Sequence, residues 1–165
     1  MRRLRADGGG VLDVLINNAG VSPRGERFGN VTAQAMQDVF SVNTVAPMLV
    51  CQKAYPLLCR SQAPRIINIS SSMGAITQKD YGRHYSYASS KAALNMLTRA
   101  SAHDLRDDGI TVVALHPGWV RTDLGGAHAA LGPAESVAGM IDVIDRLTLD
   151  DTSLFFTWEG EQHPW

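Results

Sequence analysis

Tyr87 and Lys91 stand four positions apart in the stretch YSYASSKAAL, residues 85–94. Residues at this spacing share one face of a helix, so the Lys91 ammonium group can lie close to the Tyr87 hydroxyl and favour its ionised form. The expected effect is a Tyr87 pKa lowered from about 10 towards neutral pH, where a phenol can exchange a proton with a substrate. Such pairs also occur by chance on exposed helices, so this one is informative only with its surroundings.

Polar and glycine-rich stretches follow three apolar segments of the chain. The segments VLDVLIN, RIINIS and ITVVALH are short and rich in β-branched residues, which is typical of buried parallel strands. Directly after them come NNAG (17–20), SSSMG (70–74) and HPGWVRTDLGG (116–126). Taken singly, these are an Asn-rich turn, a serine-rich loop and a rigid Pro-Gly turn. Together they place amides and hydroxyls at the carboxyl ends of consecutive strands, where parallel sheets bind ligands.

The order of the predicted elements favours a single α/β domain. Helix-like segments alternate with the strands in the order β-α-β-α-β-α-β, which predicts a parallel sheet with right-handed crossovers. We expect Pro47 and Pro56 to kink or stop the first helix, and Gly109 to end the second. The predicted strands span 11–17, 65–70, 110–116 and 153–158, and the predicted helices span 32–60, 85–106 and 133–147.

Composition and charge exclude several classes of function. The chain has 165 residues, 45% of them hydrophobic, and a formal net charge of -1, so it has no bulk attraction to nucleic acid or acidic membranes. The basic cluster MRRLR lies in a segment, 1–10, that we expect to be frayed. No apolar run approaches the roughly 20 residues that span a bilayer, so we expect a cytoplasmic location.

The cysteines and histidines predict neither a disulfide nor a metal site. Cys51 and Cys59 are eight positions apart in a predicted helix, a separation of about 12 Å that no disulfide can bridge. The five histidines are scattered without CxxC or HExxH spacing, so no metal is expected.

Five motifs occur along the chain in the order NNAG, FSVNTVAP, INISSSMG, YASSK and HPGWVRTDLGG. In this order and approximate spacing they resemble the short-chain dehydrogenase/reductase family over residues 11–165. HPGWVRTDLGG and the ending WEGEQHPW resemble its subgroup of carbonyl reductases that contains C-factor and sniffer. The resemblance implies one domain, the C-terminal part of a Rossmann-type doubly wound parallel sheet. It also implies NAD(P)-dependent interconversion of a carbonyl and a secondary alcohol by hydride transfer.

The resemblance assigns proton-transfer roles to three residues. It makes Tyr87 the general acid/base, and Lys91 the cation that lowers the Tyr87 pKa and holds the nicotinamide ribose. Asn43, in FSVNTVAP, would hold a water in the proton relay. A structural alternative for Asn43 is to bridge backbone groups where Pro47 disturbs the helix.

The family's substrate-binding serine corresponds to Ser71, three positions before Gly74 in SSxxG. The resemblance implies that its hydroxyl binds the reacting oxygen. The loop between Ser71 and the YASSK motif is slightly longer than the commonest family pattern, which leaves Ser70 and Ser72 as alternatives.

The resemblance also implies a nicotinamide cofactor, NADP or NAD, with NADP favoured only by the likeness to the carbonyl reductase subgroup. The cofactor would supply the hydride, while the protein supplies position, a proton and electrostatics. For Thr122 a plain alternative is that it caps a turn. The residues at cofactor-contacting positions are Asn18, Ala19, Gly20, Tyr87, Lys91, Pro117, Gly118, Val120 and Thr122.

The sequence departs from the family in its first third. Family members begin with a strand, the glycine loop TGxxxGxG and a helix, whereas this sequence starts MRRLRADGGG and continues directly into VLDVLIN. Its three consecutive glycines, 8–10, precede a strand rather than a helix, so they cannot form the phosphate-binding loop. We therefore expect VLDVLIN to be an apolar edge strand that is prone to pair with another chain.

This departure leaves two hypotheses open. In the first, the chain is an enzyme whose partner is a small carbonyl or alcohol and whose long helices, which commonly form dimer interfaces in the family, mediate a homo-oligomer. In the second, it is a truncated product that keeps the catalytic residues, binds dinucleotide weakly and acts, if at all, as a protein-interaction module.

Overall fold

A computed structural model describes residues 9–165, and the basic cluster MRRLR lies outside them. The described residues form one parallel sheet whose strands lie in sequence order, each joined to the next through a helix. The predicted α/β order is therefore confirmed. The strands are β1 (Val14–Asn17), β2 (Arg65–Ile69), β3 (Thr111–His116) and β4 (Phe155–Thr157), and the α-helices are α1 (Ala33–Phe40), α2 (Ala46–Leu58), α3 (Tyr85–Asp104) and α4 (Pro133–Arg146).

β2 and β3 form the buried centre of the sheet. Successive residues of a strand point to opposite faces. On one face, Ile66 and Val112 pack against α2 and α3. On the other face, Ile67 and Val113 pack against α4. Because helices cover both faces, these strands are apolar along nearly their whole length, as their sequences predict.

The first predicted helix is interrupted near its middle. α1 ends at Phe40, residues 41–45 form a π-helical turn, and α2 continues from there. Pro47 lies in the first turn of α2 and has no N–H to bond to the carbonyl group four residues earlier, which favours a wider turn there. Pro56 lies inside α2, which continues to Leu58, so the predicted break is confirmed only at the first proline.

β1 is an edge strand within the described residues, as expected. It pairs with β2 alone, and its residue Ile16 is 48% exposed. Val11, three residues before the start of β1, is 54% exposed. At the other end of the sheet, β4 is shorter than predicted. α3 ends at Asp104, five residues before Gly109, so the prediction that Gly109 ends this helix is wrong: Gly109, with a φ of 73°, lies in the turn that leads into β3.

Two further findings concern the thiols and the helices of residues 9–165. Cys51 and Cys59 are both free thiols. No helix in this part of the chain has the length and hydropathy needed to span a membrane.

Candidate active site

A cavity of about 590 Å³ lies at the carboxyl ends of the strands, beside the start of α3. Its walls come from the loop after β1, the serine-rich loop after β2, the first turns of α3, the loop after β3 and the first half of α4. The topology therefore brings together stretches that are far apart in sequence, as the parallel order predicts. The predicted site residues that line the cavity are Asn18, Gly20, Ser71, Tyr87, Lys91, Pro117, Gly118, Val120 and Thr122, together with the alternatives Ser70 and Ser72.

Helix α3 carries Tyr87 in its first turn and Lys91 one turn later. The Lys91 Nζ atom lies 5.8 Å from the centroid of the Tyr87 ring. It also donates a hydrogen bond of 2.7 Å to the carbonyl oxygen of Ile69, the last residue of β2. Lys91 is only 3% exposed, and this burial lowers its pKa to about 8. A single bond to the sheet thus fixes the ammonium group at the cavity wall.

The pKa of Tyr87 is raised, not lowered as the sequence predicts. Burial of the phenol is the larger cause, and a side-chain hydrogen bond with Ser71 opposes part of the rise. The prediction is wrong because it weighed the charge of Lys91 and omitted desolvation, which disfavours a buried phenolate. The phenol is therefore held in its protonated, proton-donating form.

The serine-rich loop presents Ser71 to Tyr87. Ser71 precedes a short 3₁₀ turn at residues 72–74, and its hydroxyl oxygen accepts a hydrogen bond of 3.2 Å from the Met73 N–H group. Ser70 instead donates its hydroxyl proton to Asn95 Oδ1 at 2.5 Å and is buried. The Ser71 hydroxyl lies close enough to Tyr87 to oppose the rise in its pKa, whereas the Ser70 hydroxyl is engaged with Asn95.

A close approach between Gly74 and α3 holds this loop in place. A Cβ atom added to Gly74 would lie 2.8 Å from the carbonyl carbon of Lys91 and 2.9 Å from its Cβ atom, too close for any side chain. The Gly74 carbonyl also accepts a hydrogen bond of 3.2 Å from Asn95 Nδ2. Sequence reasoning missed Asn95, although it follows Lys91 by four residues and so shares its helix face.

The Asn43 side chain forms hydrogen bonds to two other segments of the protein. Its Oδ1 accepts a hydrogen bond from the Val21 N–H group at 2.9 Å, and its Nδ2 donates to the Val21 carbonyl at 2.9 Å and to Ser90 Oγ at 3.0 Å. Asn43 is fully buried and does not line the cavity. Its side chain therefore joins the backbone of Val21, in the loop after β1, to Ser90 of α3, rather than bridging backbone groups near Pro47.

The loop after β3 is shaped by Gly118 and Thr122. Gly118 has a φ of 83°, and a Cβ atom there would lie 2.7 Å from Leu131 Cδ2. Thr122 Oγ1 accepts a hydrogen bond of 3.2 Å from the Gly125 N–H group, so it closes a turn and also faces the cavity. Ala19, by contrast, does not line the cavity.

His116 lines the cavity and was missed by sequence reasoning. Burial, and secondarily the charge of His163, lower its pKa to about 4. Its buried Nδ1 has no hydrogen-bond partner among residues 9–165. The same residues contain no group of three or more His, Cys, Asp or Glu side chains that could hold a metal ion. His116 opens the motif HPGWVRTDLGG, directly before Pro117, and this position is the signal that could have identified it.

Comparison with known proteins identifies the family of the chain. The family model described as short chain dehydrogenase matches residues 2–130. The chain belongs to the short-chain dehydrogenase family. It is 42% identical over 156 residues to C-signal from Myxococcus xanthus, and the match covers 94% of each chain.

Solved structures resemble the chain as well. An NADPH-bound carbonyl reductase from chicken fatty liver is 42% identical, with a TM-score of 0.90, and the match covers 95% of this chain and 67% of that one. The carbonyl reductase Sniffer from D. melanogaster is 36% identical, with a TM-score of 0.89, and the match covers 94% and 67% of the two chains. This chain therefore spans nearly the full length of C-signal but about two thirds of the carbonyl reductases.

Proposed function

We propose that the chain is an NAD(P)-dependent oxidoreductase that interconverts a carbonyl and a secondary alcohol. The observation that carries the proposal is the grouping of Ser71, Tyr87 and Lys91 in one cavity at the carboxyl ends of the strands. The likeness to carbonyl reductases supports the same reaction. The substrate would be a small carbonyl or alcohol, and the expected cytoplasmic location remains part of the proposal.

In the direction of reduction, Tyr87 donates its hydroxyl proton to the carbonyl oxygen. Its raised pKa keeps that proton available across the neutral range. Ser71 donates a hydrogen bond to the same oxygen and stabilises the negative charge that develops there. In the direction of oxidation, the same group as phenolate accepts the proton of the alcohol hydroxyl.

Lys91 holds the ligand rather than ionising Tyr87. An ammonium group has three N–H donors, and one of them is bonded to Ile69. The remaining donors of Lys91 would bind the ribose hydroxyls of the cofactor. A Cβ atom on Gly20 would lie 3.7 Å from Lys91 Nζ, so a side chain there would fill the space in front of this group.

The cavity lining contains the residues that would hold the nicotinamide end of a dinucleotide. When bound, that cofactor supplies the hydride. NADP is preferred over NAD because a similar carbonyl reductase is described as NADPH bound. Asn43 would act by fixing Val21 and Ser90 around the cavity, and this positioning role replaces a direct side-chain role in the proton relay. The residues that would hold the cofactor are Asn18, Ala19, Gly20, Tyr87, Lys91, Pro117, Gly118, Val120 and Thr122.

A second candidate function is a protein-interaction module. The observation in its favour is that β1 pairs with β2 alone among residues 9–165 and contains the half-exposed Ile16, since an exposed apolar edge strand can pair with another chain. Exposed Leu49 on α2 and Met96 on α3 would allow a homo-oligomer to form through the long helices in either case.

The test is consumption of NADPH and NADH by the purified chain in the presence of small aldehydes and ketones. We expect carbonyl-dependent oxidation of the reduced cofactor, lowered by a factor of about 10² to 10⁴ in Tyr87→Phe. Tyr85→Phe is the matched control, because Tyr85 lies in the same turn of α3 but outside the cavity. Equal turnover by wild type and Tyr87→Phe would contradict the proposed role of Tyr87. An inactive wild type would favour the interaction module.

A further inference from the structure

Glu26 is a buried carboxylate in the loop between β1 and α1. It is only 7% exposed. One of its oxygens accepts a hydrogen bond of 2.8 Å from the Ser86 backbone N–H group, and the other accepts a short hydrogen bond from the Ser86 hydroxyl. Glutamate is rarely buried without such partners. Both oxygens of this side chain are thus directed at one residue sixty positions later in the chain.

Ser86 is the second residue of α3, so these bonds close the start of that helix. The first N–H groups of any helix lack partners within the helix and are usually satisfied by a nearby side chain. The residue before α3, His84, has a φ of 56° and provides no side-chain cap. The first turn of α3 lies within the described residues and has no acidic residue of its own. Glu26 supplies both the missing acceptor and a negative charge at the positive end of the helix.

This contact is adjacent to the proposed proton donor. Tyr87 directly follows Ser86, so the bonds to Glu26 hold the peptide segment from which the Tyr87 side chain projects. The loop that carries Glu26 is also fixed at its other end, because Asn43 bonds to both backbone groups of Val21 and to Ser90 of α3. The loop after β1 and the first two turns of α3 are thus joined at two points.

We propose that Glu26 is a positioning residue that sets the place of Tyr87 relative to the opposite wall of the cavity. The wall in question is the loop containing Asn18, Gly20 and Ser22. Glu26 touches neither the reacting oxygen nor the cofactor in this role, and it acts only through Ser86. The catalytic part of the inference rests on the proposed function, while the structural part does not.

The test compares Glu26→Ala and Glu26→Gln with wild type by amide hydrogen exchange and by turnover. Losing a cap should speed exchange of the Ser86 and Tyr87 amides by about tenfold in Glu26→Ala. Glu26→Gln keeps one acceptor oxygen, so it should restore part of the protection and leave exchange at Ser86 a few times faster than in wild type. Glu135→Gln and Glu135→Ala are matched controls, because Glu135 is an exposed glutamate in the first turn of α4.

Turnover separates positioning from a merely structural role. In Glu26→Ala we expect kcat to fall by about tenfold, because the donor is displaced, while the KM for the carbonyl changes little. Glu26→Gln should recover most of the lost kcat. Parallel changes in kcat and KM, or a Gln variant no better than Ala, would overturn the proposal.

Hydrogen exchange tests the structural claim, that Glu26 caps the start of α3 through Ser86, even if the wild type has no turnover. Unchanged exchange at Ser86 and Tyr87 in Glu26→Ala, or faster exchange spread evenly over the molecule, would overturn it. If Glu26→Ala does not fold, the isosteric Gln variant decides: exchange at Ser86 must then be a few times faster than in wild type, and unchanged exchange would refute the contact.

Discussion

Ile16 and Ile67 are the same residue type at paired positions of adjacent parallel strands, yet their environments differ greatly. Ile67 in β2 is fully buried beneath α4, whereas Ile16 in β1 is 48% exposed. The difference lies in their neighbours: β2 has a strand on each side, and β1 has one on a single side among residues 9–165. The proposed active site is built on the well-covered part of the sheet.

Polar contacts compensate in part at the exposed edge. Asn17 at the end of β1 donates a hydrogen bond of 2.8 Å to Asn68 Oδ1 in β2, and Asn68 donates one of 2.9 Å to Thr98 of α3. The carboxyl end of β1 is thereby tied to the helix that carries Tyr87. The comparison shows that side-chain amide hydrogen bonds hold the end of β1, although Ile16 in the same strand remains half-exposed.

The largest expected effect separates the two isoleucines. Ile67→Ala should lower the free energy of unfolding by about 2 to 5 kcal/mol, since it leaves a cavity in a fully packed site. Ile16→Ala should cost about 1 kcal/mol or less, because half of the side chain is already in contact with water. Urea unfolding of both variants measures this difference. Equal losses would break the comparison and would show that another chain covers β1 in solution.

A smaller effect is expected at Gly74, where the serine loop meets α3. Gly74→Ala should lower the free energy of unfolding by about 1 to 3 kcal/mol, because the added Cβ atom would overlap the backbone of Lys91. Turnover should also fall in the variant that remains folded, as the loop carrying Ser71 is pushed from Tyr87. Gly82→Ala is the control, since its Cβ would make only an ordinary contact of 3.8 Å. A stable, fully active Gly74→Ala would contradict the packing described.

The smallest expected effect is a pH dependence from Lys91. Its pKa is about 8 in the folded chain and 10.5 when unperturbed, so folding favours the neutral amine. The unfolded chain binds the proton more tightly, and stability therefore rises with pH through this window. Between about pH 7 and about pH 9, wild type should gain on the order of 1 kcal/mol relative to Lys91→Met.

Urea unfolding of both chains at the two pH values makes that comparison. Subtracting the free energy of unfolding of Lys91→Met from that of wild type removes the contribution of the other titrating groups, because both chains contain them. Wild-type stability that stays constant or falls relative to Lys91→Met over this range would show that Lys91 is not desolvated.

Much of the fold could be predicted because its signals are local. β-branched runs mark the strands, and prolines mark where helices start or break, as at Pro133 and Pro47. The motifs at the strand ends also indicated which residues share a cavity, because parallel strands bring their carboxyl ends to one edge.

The remaining features depend on contacts that leave no periodic pattern. Glu26 reaches Ser86 across sixty positions, and Asn43 reaches Val21 across twenty-two. The direction of the Tyr87 pKa shift depends on how much of the phenol is buried, and helix spacing carries no information about that. Long-range polar contacts and desolvation therefore account for the features that could not be predicted from the sequence.

The central claim is that the Ser71 hydroxyl and the Tyr87 phenol act on one substrate oxygen. A double-mutant cycle on kcat/KM for carbonyl reduction, using Ser71→Ala, Tyr87→Phe and the combined variant, tests it directly. The account predicts strong non-additivity: the combined variant should be only slightly slower than Tyr87→Phe alone. Losses that multiply independently would contradict it, because the two hydroxyls would then act at separate places.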